Sequence, residues 1–275
     1  KETGERRRKQ WTKHVRSPKN QGTVMNTNRL HHSPASPLDT KTPARSHLRS
    51  RTRLARTGAL ALTALLILGA VQIRAHDEGL TKQERAQGWK LLFNGRDTVG
   101  WANRGDTEAV GWGVDDGALV LKKPGSGDLV YTAAEFEDFE LSIDWKTEGN
   151  SGLFLRMSDQ EDWLNTGMEV QIMPTSGTTV HSTGALYDLV PPPASAKVRQ
   201  NDWNNFRVVC QGPKVSCELN GVQTFQIDLR DDRWKTPQGK FAIPYSGLPR
   251  KGWIMLQDHG ARVAFRNIRI RPIAR

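Results

Sequence analysis

The stretch TGMEVQIMP, Thr166 to Pro174, alternates with the period of a strand. It puts Glu169 and Gln171 on one side and Met168, Val170 and Ile172 on the other. Glycosidic bonds are cleaved by double displacement when two carboxyl groups stand about 5 Å apart, and a row at i, i+2 and i+4 of one strand can supply them. Here that row reads Glu169, Gln171, Met173: one acid, one amide and no second carboxylate. Asp144 and Asp188 are candidate partners from other strands, but no spacing ties either one to Glu169.

The other groups able to move a proton or hold a polar ligand are few. Only His181 and His259 lie in the patterned region, and an imidazole suits a base near neutral pH. His259 stands in LQDHG, where Asp258 and Gly260 also read as plain turn residues. His181 reads as a solvated loop side chain. Arg156 in NSGLFLR alternates onto the face of Phe154, where it either grips a ligand oxygen or pairs with Glu169 across neighbouring strands. Asn150 opens that strand in a turn or at a polar rim. Gln257 falls on the polar side of WIMLQD, and Tyr187 either stacks on a ligand or fills the core. Of eight Trp after residue 80, most are expected between sheets, and Trp163 in the polar DQEDWLNTG is the expected exposed one. DQED with Asn165 has oxygens suited to a divalent cation but not the spacing of a known metal loop, so an acidic turn is expected.

Positioning these groups falls to a series of short strands. From Leu80 onward, period-2 runs are broken by Gly, Asn, Asp and Pro, and only TKQERAQG reads as helix. Runs near WKLLFNG, WGVDDGALVL, DLVYT, DFELSIDWKTE, SGLFLRMS, MEVQIM, TGALYDLV, NNFRVVCQ, KVSCELN, VQTFQID, WIMLQD and RVAFRNIRI make an all-β sandwich or jelly roll. A two-residue turn at Gly212-Pro213 pairs Cys210 with Val215, Val208 with Cys217 and Phe206 with Leu219, all on one apolar face. The cysteines are then diagonal and form two buried thiols; a slightly longer loop would set them opposite each other, within reach of a disulfide. Asn220-Gly221 marks a second hairpin. A third, turning at His259-Gly260, would pair Leu256 with Val263 and Ile254 with Phe265.

Charge is divided along the chain. Residues 1–75 carry 16 Lys/Arg and 3 Asp/Glu, so the remaining 200 are close to neutral despite the overall +11, and nucleic acid is not an expected partner. Residues 1–50 have the composition of a disordered basic tail, and the stretch upstream of Met25 is expected to be non-native. Residues 51–75 read as a signal peptide: a cationic stretch, the apolar run Ala59–Val71, then Ala75. That run has 13 residues, whereas a spanning helix needs about 20. Export to a periplasm or beyond is expected, with an uncleaved anchor as the lesser alternative, and residues 80–275 form the folded domain.

Ten motifs in order then carry a resemblance over Gly88 to Pro272: GWKLLFNGRDTVGW, GWGVDDGAL, FEDFELSIDWK, NSGLFLR, GMEVQI, TGALYDLVPP, WNNFRVVCQG, ELNG, LQDHG and VAFRNIRI. Together they resemble the 3-keto-disaccharide hydrolase domain family. The resemblance implies a concanavalin A-like jelly roll of two curved antiparallel sheets, export, and action on sugars oxidised at C3. It places His259 in the family's LQDHG motif. A C3 ketone acidifies the C2 proton, so one base, a group to stabilise the enolate and an acid at the leaving oxygen suffice. Glu169 and His259 are then acid and base in either order, with Gln171, Arg156, Tyr187, Asn150 and Gln257 around a carbohydrate substrate. No cofactor is expected, and a divalent cation stays open. WNNFRVV and ELNG are equally similar to laminin-G-type sandwiches, so a binding domain without turnover is the alternative.

Overall fold

The computed structural model describes residues 79–274, and the tail and signal segment expected over 1–75 lie outside the described residues. Thirteen strands form two antiparallel sheets. β1 (Lys90–Leu91), β3 (Trp112–Asp115), β4 (Ala118–Leu121), β6 (Phe139–Thr147), β9 (Asn204–Gln211), β10 (Lys214–Leu219), β11 (Val222–Asp228) and β13 (Val263–Pro272) make the larger sheet. Its order is β11-β10-β9-β6-β13-β4-β3, with β1 beside β13. The smaller sheet runs β2 (Trp101–Asn103), β5 (Leu129–Tyr131), β12 (Trp253–Leu256), β7 (Ser151–Met157), β8 (Met168–Ile172). This is the expected jelly-roll sandwich. The core between the sheets takes alternate residues of each strand, among them Leu141, Ile143 and Trp145 of β6 and Met168, Val170 and Ile172 of β8. Among the described residues, no helix is long and apolar enough to cross a membrane.

The helix read from TKQERAQG is α1 (Lys82–Ala86), closed by a capping box in which Thr81 and Glu84 satisfy each other's backbone amides. The β9–β10 hairpin has the expected register, with Cys210 facing Val215, Val208 facing Cys217 and Phe206 facing Leu219, and the second hairpin turns at Asn220-Gly221 as expected. Asn220 and Gly221 sit at φ 52° and 84°, the left-handed pair that a two-residue hairpin turn requires. Cys210 and Cys217 are therefore free and buried, and burial pushes both thiols up to about 12, which leaves them unreactive at neutral pH.

Three local expectations fail. TGALYDLV is not a strand; it lies as a loop along the free edge of β8, where Tyr187 N donates to Glu169 O (2.9 Å) and Gln171 N to Ala185 O (3.1 Å). The third hairpin does not exist, because β12 belongs to the smaller sheet and β13 to the larger, and residues 257–262 cross between them. Leu256 and Val263 are both buried, so alternation alone could not tell a hairpin from two core strands in opposite sheets. β2 and the one-turn α2 (Trp163–Thr166) were too short to leave a periodic signal.

Candidate active site

The outer face of the smaller sheet carries the site. Two rows of side chains cross it, set by strand register. One reads Val130, Met255, Phe154, Glu169 through β5, β12, β7 and β8. The next pairs Gly152 with Gln171, and Gln257 N donates to Gly152 O (2.9 Å). One step beyond the Leu256–Leu129 pair, Asp128 closes this second row on the far side. Glu169 thus ends an otherwise apolar row and borders a polar one, Asp128, Gln257, Gly152, Gln171. Trp163 packs edge-on against Phe154 (ring centroids 5.1 Å) and walls the apolar side.

A cleft of about 320 Å³ opens over these rows, lined by Asp128, Asn150, Trp163, Leu164, Glu169, Gln171, Tyr187, Lys240, Gln257, Asp258 and His259. Glu169 is 4% exposed, and its carboxyl accepts no hydrogen bond from the described residues. Burial pushes its carboxyl up to about 8; Lys240 pulls it down and Asp128 pushes it further up, both more weakly. Gln171 Nε2 donates to Asn150 Oδ1 (2.8 Å), whereas Oε1 of Gln171 and Oε1 of Gln257 are buried with no partner among the described residues. Two unpaired amide oxygens beside a buried carboxyl are the acceptors a hydroxyl-rich ligand would satisfy.

The second carboxylate of the cleft is one the sequence left unmarked. Asp128 is 7% exposed and bonded to Arg104 Nε (Oδ2, 3.1 Å) and to Asp258 N (Oδ1, 3.0 Å). Burial raises its pKa, against the Asp258 amide and Arg104, which lower it. Asp144 and Asp188 do not serve: Asp144 is bound to Asn205, Asn267 and Arg266, and Asp188 to His181 and Lys240 N. Asp258 does the turn work expected of it, accepting from Gly125 N (3.0 Å), Gly127 N (3.0 Å) and Gly260 N (2.9 Å), and so holds the exposed His259 at the rim. Glu169, His259, Gln171, Asn150, Gln257 and Tyr187 are thus brought together as expected.

Arg156 is the exception. It is 1% exposed and lies outside the cleft lining. It donates to Glu137 O (2.8 Å) and Gly212 O (2.9 Å) and pairs with Asp138 (3.2 Å), not with Glu169. The cause is one extra residue in β7. Phe154 to Met157 spans three steps while its partners Met255 to Trp253 span two, and Arg156 sits at φ 51°. The bulge hands the outer-face position to Met157, which joins Phe154, Val130 and Met255. Trp163, expected to be exposed, is half-buried on the cleft wall under Arg104 (5.3 Å to the ring centroid). The DQED turn spends its Asp159 carboxylate on the amides of Glu161 and Asp162, and Asp162 accepts from Asn165. Lys240, from a loop without periodicity, had no sequence signal. Asp128 had a weak one: it alternates with Val130 onto the Glu169 face.

A two-sheet jelly roll with two buried acids, Glu169 and Asp128, and unpaired amide oxygens in an outer-face cleft defines a sandwich built to hold a polar, hydroxyl-bearing molecule. The chain belongs to the family described as the 3-keto-alpha-glucoside-1,2-lyase-like domain, which matches residues 88–271. A 3-keto-disaccharide hydrolase from Bacteroides thetaiotaomicron is 27% identical over 232 residues, covering 68% of this chain and 79% of that protein. A crystal structure of a "putative glycosyl hydrolase" from Parabacteroides distasonis superimposes with a TM-score of 0.65 at 28% identity, covering 72% of this chain and 99% of its own. A second structure of that description from the same organism has a TM-score of 0.58, also at 28% identity, covering 67% and 99%.

Proposed function

We propose that this protein is an exported enzyme that cleaves 3-keto-glycosides by removing the C2 proton, eliminating the C1 substituent and adding water, a net hydrolysis. The observation that carries the reading is Glu169: a buried carboxyl with no hydrogen bond from the described residues and a pKa pushed up to about 8, in a cleft whose other carboxylates are already bonded. That is a poor pair for double displacement, which needs a free nucleophile and an acid. It is sufficient for elimination from a ketone. Family membership and the hydrolase relative support the same substrate class. Export rests on the order of charge, apolar run and Ala75 in residues 45–75.

In this scheme His259 takes the C2 proton and the electron pair moves into C2–C3, leaving the charge on the C3 oxygen. The enolate collapses to restore C3=O, a C1=C2 bond forms, and the C1–O bond breaks. Glu169, protonated near neutral pH, gives its proton to the departing oxygen. Its carboxylate then takes a proton from water as the water oxygen adds to C1, and His259 returns its proton to C2. Gln171 and Gln257 accept from sugar hydroxyls, Asn150 fixes the Gln171 amide, and Tyr187 and Trp163 flank the ring. No cofactor enters the scheme. A concave cleft with titratable groups favours turnover over the binding-only alternative, which calls for a flat aromatic strip.

The full chain is assayed on 3-keto-trehalose and 3-keto-glucosides, with and without chelator. Cleavage is expected, with a loss of about 10²-fold or more in Glu169→Gln and in His259→Ala. No turnover of any 3-keto sugar removes the function, and full activity in both variants removes the site.

A further inference from the structure

The scheme leaves the negative charge on the C3 oxygen without a cation, because Arg156 is buried elsewhere. Among the described residues, Lys240 is the one Lys or Arg that lines the cleft. Its Nζ stands 4.2 Å from the ring centroid of Tyr187, a second lining residue. The segment that carries it is fastened at three successive positions. Lys240 N donates to Asp188 Oδ2 (3.1 Å), Phe241 is 2% exposed within the core, and Ala242 N donates to Asn165 Oδ1 (2.9 Å). Asp188 belongs to the loop along β8, and Asn165 to α2, so the segment ties one wall of the cleft to the other. Gly239 lets it approach: its φ is +55°, and a Cβ there would stand 2.6 Å from Asp188 Oδ2. Lys240 is exposed, and these anchors fix its backbone at the cleft.

We propose that Lys240 is a catalytic residue whose ammonium stabilises the oxyanion formed at C3 of the substrate, with Asp188 and Gly239 as the residues that position it. This rests on the reading of the cleft as an eliminating site. The ammonium makes no covalent bond: it pairs with the oxygen while the charge is there and releases it when C3=O returns. In a cleft partly closed to water, such a preorganised charge acts on the transition state more than on the neutral ketone. Tyr187 holds the ammonium in place through its ring face.

The test uses the full chain and a 3-keto-glucoside in D₂O, with cleavage and exchange of the C2 proton followed together. Lys240→Met is expected to lower kcat about 10²–10³-fold and to slow C2 exchange in parallel, while Lys240→Arg recovers a large part of both. Asp188→Asn is expected to lower kcat in the parent and to have no further effect in the Lys240→Met background. Lys240→Met cleaving within threefold of the parent, while Glu169→Gln is inactive, overturns this assignment and leaves the proposed reaction standing. Cleavage lost with C2 exchange intact also overturns it, because the charge at C3 would then be stabilised by something else. A parent inactive on every 3-keto sugar overturns both.

Discussion

The carboxylate of Glu169 lies directly over Gly152: a Cβ at residue 152 would stand 2.6 Å from Glu169 Oε1 and 3.2 Å from its Cδ. Gly152 faces Gln171 across the strand pair and is bonded to Gln257 N on the other side, so the missing side chain leaves the hollow into which the acid reaches. A strand glycine ordinarily weakens a sheet and marks a close approach. Here the approach is by the proposed acid itself.

Gly152→Ala follows from this. The group in the way is the end of a flexible side chain, so the acid moves rather than the backbone, and stability is expected to change by less than about 1 kcal/mol. Displacing the acid by about 1 Å is expected to lower kcat on the order of 10²-fold. Thermal unfolding and kinetics on a 3-keto-glucoside separate the two effects, and a normal kcat in a folded Gly152→Ala protein would show that the carboxylate's position is immaterial.

The burial of Glu169 also sets a pH dependence of stability. Its folded pKa of about 8 lies above the usual 4.5, so between these values the native state holds a proton the unfolded state has lost. Stability is therefore expected to fall as pH rises from about 4.5 to 8 and to level off above. Glu169→Gln removes the titration. Its advantage in Tm over the parent is expected to grow across that window to about 5–10 °C, corresponding to roughly 2–3 kcal/mol after allowance for relaxation of the site. An advantage that does not vary with pH would mean that the acid ionises freely in the fold.

The same proton governs turnover. As the acid at the leaving oxygen, Glu169 must be protonated, so kcat/KM is expected to decline as pH rises through about 8. A profile that instead rises to a plateau above 8 would make Glu169 the base and reverse its role with His259.

Asp258 holds the loop of His259 through three backbone amides. Asp258→Ala is expected to lower kcat by 10- to 100-fold with about 1–3 kcal/mol lost in stability, and Asp258→Asn, which keeps one acceptor, to recover part of both. Equal kcat in the parent and Asp258→Ala would show that His259 needs no such support.

Arg156 makes the opposite prediction. Arg156→Met removes a buried charge bonded to two carbonyls and paired with Asp138, and is expected to cost about 3–5 kcal/mol. Well below its Tm, the variant is expected to retain kcat within a few-fold. A stable protein with lost activity would return Arg156 to the site.

Local chemistry determined a good deal from the sequence by itself. Period-2 alternation marked most strands and put Glu169 and Gln171 on one side of β8, because successive strand side chains point to opposite faces whatever the partner. Gly212-Pro213 and Asn220-Gly221 set two registers, because a turn with φ above zero admits few residues and leaves the flanking strands one way to pair. The ordered motifs marked the family. Only the tertiary structure decided the rest. The apparent hairpin at His259-Gly260 became a crossover, since two core strands alternate identically whether they share a sheet or face each other. One inserted residue in β7 turned Arg156 away from the face its spacing assigned it. Lys240 reached the cleft from a distant segment with no periodicity to announce it, and Asp128 with only its alternation with Val130. Glu169 itself was legible as an acid on a strand. That it is buried beside Phe154, over Gly152, with its proton held to about pH 8 depends on neighbours as distant in the chain as Asp128 and Lys240.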